Sequence, residues 1–541
     1  MKKKPYIIGT RGSLLALTQC LQMKNIMEEK GLGKFELKII STQGDENTQA
    51  PLWQLEGKDF FTKELDAALL QGEVDLVVHS YKDLGSERPE GIELATVTER
   101  YYAHDILFIK NETIAKLQNK EMESFVVGTS SPRRMTNITK YLKQYLPYGV
   151  EKNIDISCKS LRGNVNTRLE KLLNDDYDAI VLALPGIERL AMGLPDHDNE
   201  AFEKHGDPRA ILSELLKDLN FMILPLSEFP AAASQGALGI ECLSHREDNK
   251  ELLTKLQSLN CQQTKKEVAY EREVFQSFGG GCHLAVGISA RWNKQAEKVR
   301  MNIRGQVDEQ VIDRHELKGR ELPSLKKTEK VFLGIGKSIS IDDKRSTIRD
   351  EITEKKPTLK NILAEIEDEH VFMTSGSALD YATEVPEHMK LLKESYLWSS
   401  GIHTMKKMAA AGLWVQGSAD SLGEEEVQNL AQSHLVQLKC GKRSWKVLTN
   451  DSSQSTLGPT LGVYTKEFKE ANDSYQSTIE SCDIYYWTSY PQYKYFQEHF
   501  NLNQSAYHCC GLGKTLKNLQ EENLERLISF SSMKEFQDWI K

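Results

Sequence analysis

Short runs of branched apolar residues break off repeatedly into polar, glycine-punctuated loops that lead into amphipathic segments. Asp75-Leu-Val-Val78 begins as a buried strand behind Gly72, which can end a helix, and the chain turns abruptly polar from His79 to Asp83. Strand, polar loop and helix in alternation predict an α/β chain with mainly parallel sheets. In open sheets of this kind ligands bind outside the carboxyl ends of the strands, so Lys82 and Asp83 stand where a site would form. Taken alone, the pair reads as a solvated turn. The rest of the chain reverses that reading.

In chain order, Pro5–Ile8 reads as a strand and Gly9–Ser13 as a turn, with Ser13 as N-cap of a helix over Leu14–Met27. Phe35–Ile40 is a second strand and Thr62–Gln71 a helix. After a transitional stretch near Tyr101–Lys110 the pattern restarts: strand Ser124–Gly128, loop Thr129–Arg134, helix Met135–Leu146, with Pro132 suited to a first helical turn. Strand Asp155–Cys158, loop Leu161–Arg168 and strand Asp178–Leu184 follow. Arginines and hydroxyls twice stand where a strand gives way to a helix, which points to carboxylate or phosphate ligands. The charged stretch Gly193–Asn220 reads as an insertion or a long surface excursion, Phe221–Leu226 as a return to apolar structure, and Glu247–Phe278 as helical. Three successive glycines then present Cys282 ahead of a strand over Leu284–Ala290.

At 541 residues the chain has room for roughly three to five domains. A net charge of −9 argues against bulk nucleic-acid binding, so an anionic ligand needs a local cluster of Lys and Arg. Arg11 interrupts the basic start before a signal-peptide core could form, and no segment approaches the apolar run of about 18 residues that spans a membrane. The nine cysteines are dispersed, with no CxxC pair of metal-ligand spacing, so no metal site is expected. A cytoplasmic protein with reduced thiols follows, and a monomer is expected.

Eight separated motifs occur in the order of one family. They are IGTRGS at Ile8–Ser13, GKDFFTKEL at Gly57–Leu65, VVHSYKDL at Val77–Leu84, VGTSSPRR at Val127–Arg134, LRGNVNTRL at Leu161–Leu169, YDAIVLA at Tyr177–Ala183, SQGALGIEC at Ser234–Cys242 and GGCHLAVG at Gly280–Gly287. Over about residues 5–320 the chain resembles hydroxymethylbilane synthase, also called porphobilinogen deaminase. Pro132, Gly85 and His283 depart from its commoner pattern.

The resemblance implies two periplasmic-binding-protein-like lobes, 1–105 with about 232–250 and 106–231, and a small α/β domain at 251–323 carrying the cofactor. Cys282 matches the thiol that holds a dipyrromethane cofactor, and Asp83 the catalytic carboxylate that stabilises an azafulvenium cation after ammonia leaves porphobilinogen. The resemblance further implies that Arg11, Arg133, Arg134, Arg162 and Arg168 bind the carboxylates of cofactor and substrate, supported by Ser13, Lys58, Lys82, Thr129, Ser131 and Gln235.

The remainder, 330–541, carries a faint internal repeat of strand, Thr-Ser loop, helix and Gly-x-x-Thr turn. Its order resembles uroporphyrinogen-III synthase, which implies a second two-lobed α/β region, one lobe about 330–360 plus 465–541 and the other 361–464. Tyr464 would assist loss of the hydroxyl, with Thr374, Ser375, Ser377, Thr404, Thr488, Ser489 and Thr515 lining the site. Leu461–Tyr464 would return the chain to the first of these lobes. A transferase joined to a lyase of tetrapyrrole (heme, porphyrin) biosynthesis results, acting on porphobilinogen and hydroxymethylbilane. The competing readings are a degenerate, non-catalytic C-terminal module and a binding-protein-like ligand sensor. A P-loop at Gly511–Thr515 fails because His508 stands where glycine is required.

Overall fold

The computed structural model describes residues 4–42, 62–85, 87–174, 177–194, 205–244, 250–281, 283–326, 329–335, 347–358, 365–383 and 385–541. Two compact units emerge. Unit 1 comprises Met1–Ala290, Ile303–Ile312 and Leu430–Lys442, and unit 2 comprises Arg291–Asn302, Asp313–Asn429 and Arg443–Lys541.

The strands of unit 1 are β1 (Tyr6–Thr10), β2 (Phe35–Ile39), β3 (Leu76–Ser80), β4 (Ile92–Val97), β5 (Asp105–Lys110), β6 (Ser124–Gly128), β7 (Asp155–Lys159), β8 (Ala179–Ala183), β9 (Leu219–Ile223) and β10 (Leu238–Leu243). They form two five-stranded sheets, β2-β1-β3-β10-β4 and β7-β6-β8-β5-β9. In each, one strand runs antiparallel to its neighbours: β10 between β3 and β4, and β5 between β8 and β9. These are the two α/β lobes that the resemblance implies. The apolar run of β3 is buried on both faces because helices cover both. Val78 packs with Met23, Met27, Leu252 and Leu256, while Val77 packs with Leu65 and Leu69. Ser13 caps the helix Leu14–Glu29 as expected.

Four details differ from expectation. The Tyr101–Lys110 stretch contains β5, an inner strand of the second sheet, and its end-on charges, Asp105 and Lys110, hid a buried apolar core. Gly193–Asn220 is no simple excursion, since its described part holds the helix Pro208–Leu215, capped by the Asp207 carboxylate, and the start of β9. Pro208, Leu212, Leu216 and Leu219 are buried while the charged residues between them face out, a helical period masked by composition. Glu247–Phe278 divides, among the described residues, into helices Lys250–Gln257 and Gln262–Ser277. The helix expected at Met135–Leu146 starts at Pro132, ends at Tyr141 and tightens into a 3₁₀ turn over Leu142–Tyr145.

A helix from late in the chain, His434–Cys440, also belongs to unit 1. The Glu188 carboxylate accepts the backbone N–H groups of His434 (2.9 Å) and Leu435 (3.1 Å), and Lys439 Nζ donates to the carbonyl of Leu216 (2.8 Å). Strands β11 (Ala285–Asn293), β12 (Lys298–Val307) and β13 (Gln310–Leu317) form a three-stranded sheet.

Unit 2 has two sheets. One is β15-β14-β22-β23-β24, all parallel, from β14 (Val331–Leu333), β15 (Thr347–Arg349), β22 (Ile484–Trp487), β23 (Tyr507–Gly511) and β24 (Leu527–Phe530). The other is β16-β21-β20-β17-β18-β19, from β16 (Thr353–Pro357), β17 (His370–Met373), β18 (Tyr396–Ser399), β19 (Val415–Ser418), β20 (Trp445–Asn450) and β21 (Thr460–Phe468). The faint repeat is thus structural. Contrary to expectation, Leu461–Tyr464 does not return the chain to the first lobe, because β21 pairs with β20 and β16 inside the six-stranded sheet.

Both sheets repeat one buried polar contact. Trp398 Nε1 donates to His370 Nδ1 (3.1 Å) and Trp487 Nε1 to His508 Nδ1 (3.0 Å). Burial pushes both imidazoles down to about 4, which keeps the accepting nitrogens unprotonated. Their folded values lie below the ordinary value, so the stability they contribute is present above about pH 6.5 and is lost as pH falls toward 4. The expected cost at pH 5 is about 2 kcal/mol for each histidine. Histidine NMR titration should find both rings neutral at pH 5, with the urea midpoint of unit 2 lower there than at pH 7.5; rings that titrate near 6.5 would contradict this.

Candidate functional site

Asp83 ends the 3₁₀ turn Tyr81–Asp83 that directly follows β3, and it is exposed. The turn is held from three sides. Tyr81 N–H donates to the Ala237 carbonyl (3.0 Å), and Ser80 Oγ donates to Gln19 Oε1 (2.9 Å). Arg272, on the helix Gln262–Ser277, donates to the carbonyls of Leu84 (3.2 Å) and Gly85 (2.7 Å) while its guanidinium lies 4.8 Å from the Tyr81 ring centre. A carboxylate is therefore offered to solvent from an anchored backbone. Beneath it, His79, Asp66 and Glu241 are buried together, and Arg88 bridges the two carboxylates at 2.6 Å each.

Lys82 Nζ lies 3.4 Å from Gln235 Oε1. Burial lowers its ammonium pKa, partly offset by Asp83 and reinforced by Arg134 and Arg133. Arg133 and Arg134 open the helix Pro132–Tyr141, and both meet one carboxylate. Asp105, 1% exposed, accepts from Arg133 Nη1 (2.7 Å), Arg134 Nη2 (2.8 Å), Arg134 Nε (3.1 Å) and Gln235 Nε2 (2.9 Å). Burial alone would raise the Asp105 pKa, but the two guanidiniums outweigh it and hold the carboxyl well below the usual range. Further donors are taken by the carbonyls of Pro230 and Val181. Arg133 and Arg134 thus share one buried carboxylate, which leaves a net positive charge at the head of their helix.

Arg168 differs. Its Nε donates to the Gly163 carbonyl (2.7 Å), and burial, with Arg134 and Arg162 nearby, pushes its pKa down to about 10. Burial likewise lowers Arg162. A desolvated guanidinium beside further cations, as Arg168 is, suits an incoming anion. Thr129 is buried and accepts from Ser131 N–H (3.3 Å), and Ser131 caps the arginine-bearing helix through its backbone. Arg11 and Ser13 lie on the turn after β1, with Ser13 Oγ engaged by Ala16 N–H (3.4 Å). Lys58 and Cys282 lie outside the described residues. Asp105 and Arg272 escaped the sequence reading; a charged residue opening a buried apolar strand was the one available signal for Asp105, and none marked Arg272.

In unit 2, Tyr464 is 2% exposed, and its hydroxyl lies 3.0 Å from Ser375 Oγ; burial raises its pKa, partly offset by bonds to Ser375 and Asn450. Thr374 Oγ1 bonds Thr449 Oγ1 (2.8 Å), Ser377 Oγ accepts from Lys355 Nζ (2.7 Å), and Thr404 Oγ1 lies 3.5 Å from Ser400 Oγ. In the other lobe, Thr488 Oγ1 donates to the Gly334 carbonyl (2.9 Å), Ser489 caps the helix Tyr490–His499, and Thr515 lies in the first turn of the helix Lys514–Gln520. The turns at Gly401–Thr404 and Gly511–Thr515 approach each other through Ser421. A Cβ on Gly401 would meet its Oγ at 2.5 Å, and one on Gly513 its carbonyl oxygen at 3.1 Å.

Unit 1 is thus a two-lobed α/β framework with a desolvated cationic wall beside a strand-end carboxylate. Residues 6–251 match the family described as porphobilinogen deaminase, dipyromethane cofactor binding domain. The chain is 37% identical over 282 residues to the porphobilinogen deaminase of Geobacillus sp. (strain WCH70), covering 52% of this chain and 78% of that protein. It is 34% identical to the Nostoc sp. (strain PCC 7120) porphobilinogen deaminase, covering 53% of this chain and 77% of that one. This chain belongs to the porphobilinogen deaminase family. Uroporphyrinogen-III synthetase of Helicobacter pylori is a structural match at TM-score 0.28 and 18% identity, covering 39% of this chain and 96% of that one. Among the described residues no helix is long and apolar enough to cross a membrane.

Proposed function

We propose that unit 1 joins four porphobilinogen molecules head to tail, losing ammonia at each step, and releases hydroxymethylbilane. The observation that carries this reading is the pairing of an exposed, anchored Asp83 with Lys82, Arg162 and Arg168, each lowered chiefly by burial. Every pyrrole unit brings two carboxylates, and Arg162 and Arg168, which form no ion pair among the described residues, suit them. The same donor set suits a dipyrromethane cofactor, which supplies the pyrrole terminus to which substrate is added; Cys282 is its proposed attachment point.

Arg162, Arg168 and Lys82 take ligand carboxylates, joined by Arg11. Arg133 and Arg134, tied to Asp105, frame the wall and add positive field. Asp83 accepts a hydrogen bond from the substrate pyrrole N–H and stabilises the positive charge that develops as ammonia leaves. The proton lost after carbon–carbon bond formation leaves through Asp83 or water beside it.

Unit 2 cyclises hydroxymethylbilane with inversion of one ring, giving uroporphyrinogen III. The structural repeat and the Tyr464–Ser375 contact at the strand-end loops support that reading. Incubation with porphobilinogen, followed by oxidation and separation of isomers, tests both halves. Isomer III should dominate. Isomer I alone would leave unit 2 non-catalytic, and no consumption would refute the first activity. The intact mass of the purified chain should exceed the sequence mass by one dipyrromethane, an excess absent from Cys282→Ser; its absence from the parent chain would favour a ligand sensor.

A further inference from the structure

The two strands at the edge of the six-stranded sheet carry an uncompensated charge. In the antiparallel register of β16 and β21, Lys355 lies directly opposite Lys466, and Pro357 opposite Tyr464. Paired positions present their side chains on one face about 5 Å apart, and like charges there repel. Elsewhere the same ribbon answers its lysines: Lys356 pairs with Glu467, and Lys469 with Glu354. The Lys466 side chain has no hydrogen bond or ion pair among the described residues, and Lys355 Nζ reaches only the neutral hydroxyl of Ser377.

The nearby carboxylates, Asp380 and Asp350, act on these lysines only from a distance and are engaged elsewhere. Lys407, on the helix Ile402–Ala410, holds Asp380 (2.5 Å) and brings a further cation against Gly376. The Asp350 carboxylate is spent on the N–H groups of Ile352 and Thr353, the Thr353 hydroxyl and Gln492 Nε2. Burial and Lys355 together push Lys466 down to about 8, with Asp350 opposing weakly, and Lys407 and Lys355 add to the burial that lowers His403. On this face lie Ser375 and the Tyr464 hydroxyl, bonded to each other, and Ser377, which accepts from Lys355 Nζ.

We propose that Lys355 and Lys466, with Ser377, form a carboxylate-binding site beside Tyr464 that takes one or more side-chain carboxylates of a carboxylated tetrapyrrole. The charge of the ligand follows from the paired lysines, whereas its identity rests on the second activity proposed above. An arriving carboxylate relieves the cross-strand repulsion and gains charge-assisted hydrogen bonds. It is thereby held next to the buried tyrosine.

The test uses the full chain and uroporphyrin III, an octacarboxylate probe whose fluorescence anisotropy reports binding. Lys466→Gln and Lys355→Gln should each weaken binding roughly tenfold, as loss of a charged hydrogen bond predicts. The double variant should weaken it further and melt no lower than the parent, since repulsion is removed. Lys356→Gln, which touches only exposed Glu467, should bind like the parent. Unchanged affinity in the double variant, or no binding by the parent, overturns the site. Isomer analysis separates the two ideas: isomer III with unchanged affinities retains the activity and refutes the site, whereas lysine-dependent binding with isomer I alone retains the site and refutes the activity.

Discussion

Asp83→Ala is expected to reduce porphobilinogen consumption by roughly three orders of magnitude, the range seen when a preorganised group facing transition-state charge is removed. Its thermal midpoint should stay close to the parent's, because an exposed side chain at a turn contributes little to stability. The turn itself survives, being held by Ala237, Arg272 and Gln19 rather than by the carboxylate. Consumption measured by ammonia release, with the dipyrromethane content of the variant checked by intact mass, separates failed chemistry from failed cofactor loading. A variant that carries the cofactor and elongates at the parental rate would remove Asp83 from the mechanism.

Asp105→Asn is expected to damage both stability and activity. The substitution preserves shape but leaves the buried Arg133 and Arg134 uncompensated, and breaking a buried ion pair from one side costs about 3–5 kcal/mol. For lobes of this size that corresponds to a fall of roughly 10 °C in the thermal transition of unit 1. The folded pKa of Asp105 is depressed, so its contribution is fully present above about pH 4 and is lost as pH falls below the ordinary carboxylate value. Differential scanning calorimetry at pH 7 checks the prediction; an unchanged transition would mean that the guanidiniums find other counter-charges. Porphobilinogen turnover should fall as well, because the helix Pro132–Tyr141 and Gln235 are tied to the same carboxylate.

The loop after Gly128 was legible before any coordinates, since the shift from branched apolar to polar residues there is a local signal, whereas β3 runs past the polar shift through buried His79 to Ser80. Capping by Ser13 and the first-turn placement of Pro132 were equally local. Density of charge misled the reading at Pro208–Leu215, where one buried residue every four positions suffices to seat a helix. The chain's return to the first lobe was set too early, at Leu461–Tyr464, for a related reason: a strand's partners are chosen by sheet pairing, which a single stretch does not encode.

The sequence by itself determined the family, the α/β class and the loops from which Lys82, Asp83, Thr129 and the arginines project, because motif and periodicity are properties of neighbouring residues. Which cations are free for a ligand was decided only by tertiary structure. Asp105 stands 28 and 29 positions from the two arginines that share it, and Lys355 meets Lys466 across 111 residues through strand register. A charge becomes available or spent according to what burial brings within a few ångströms of it, and that distance is unrelated to separation along the chain.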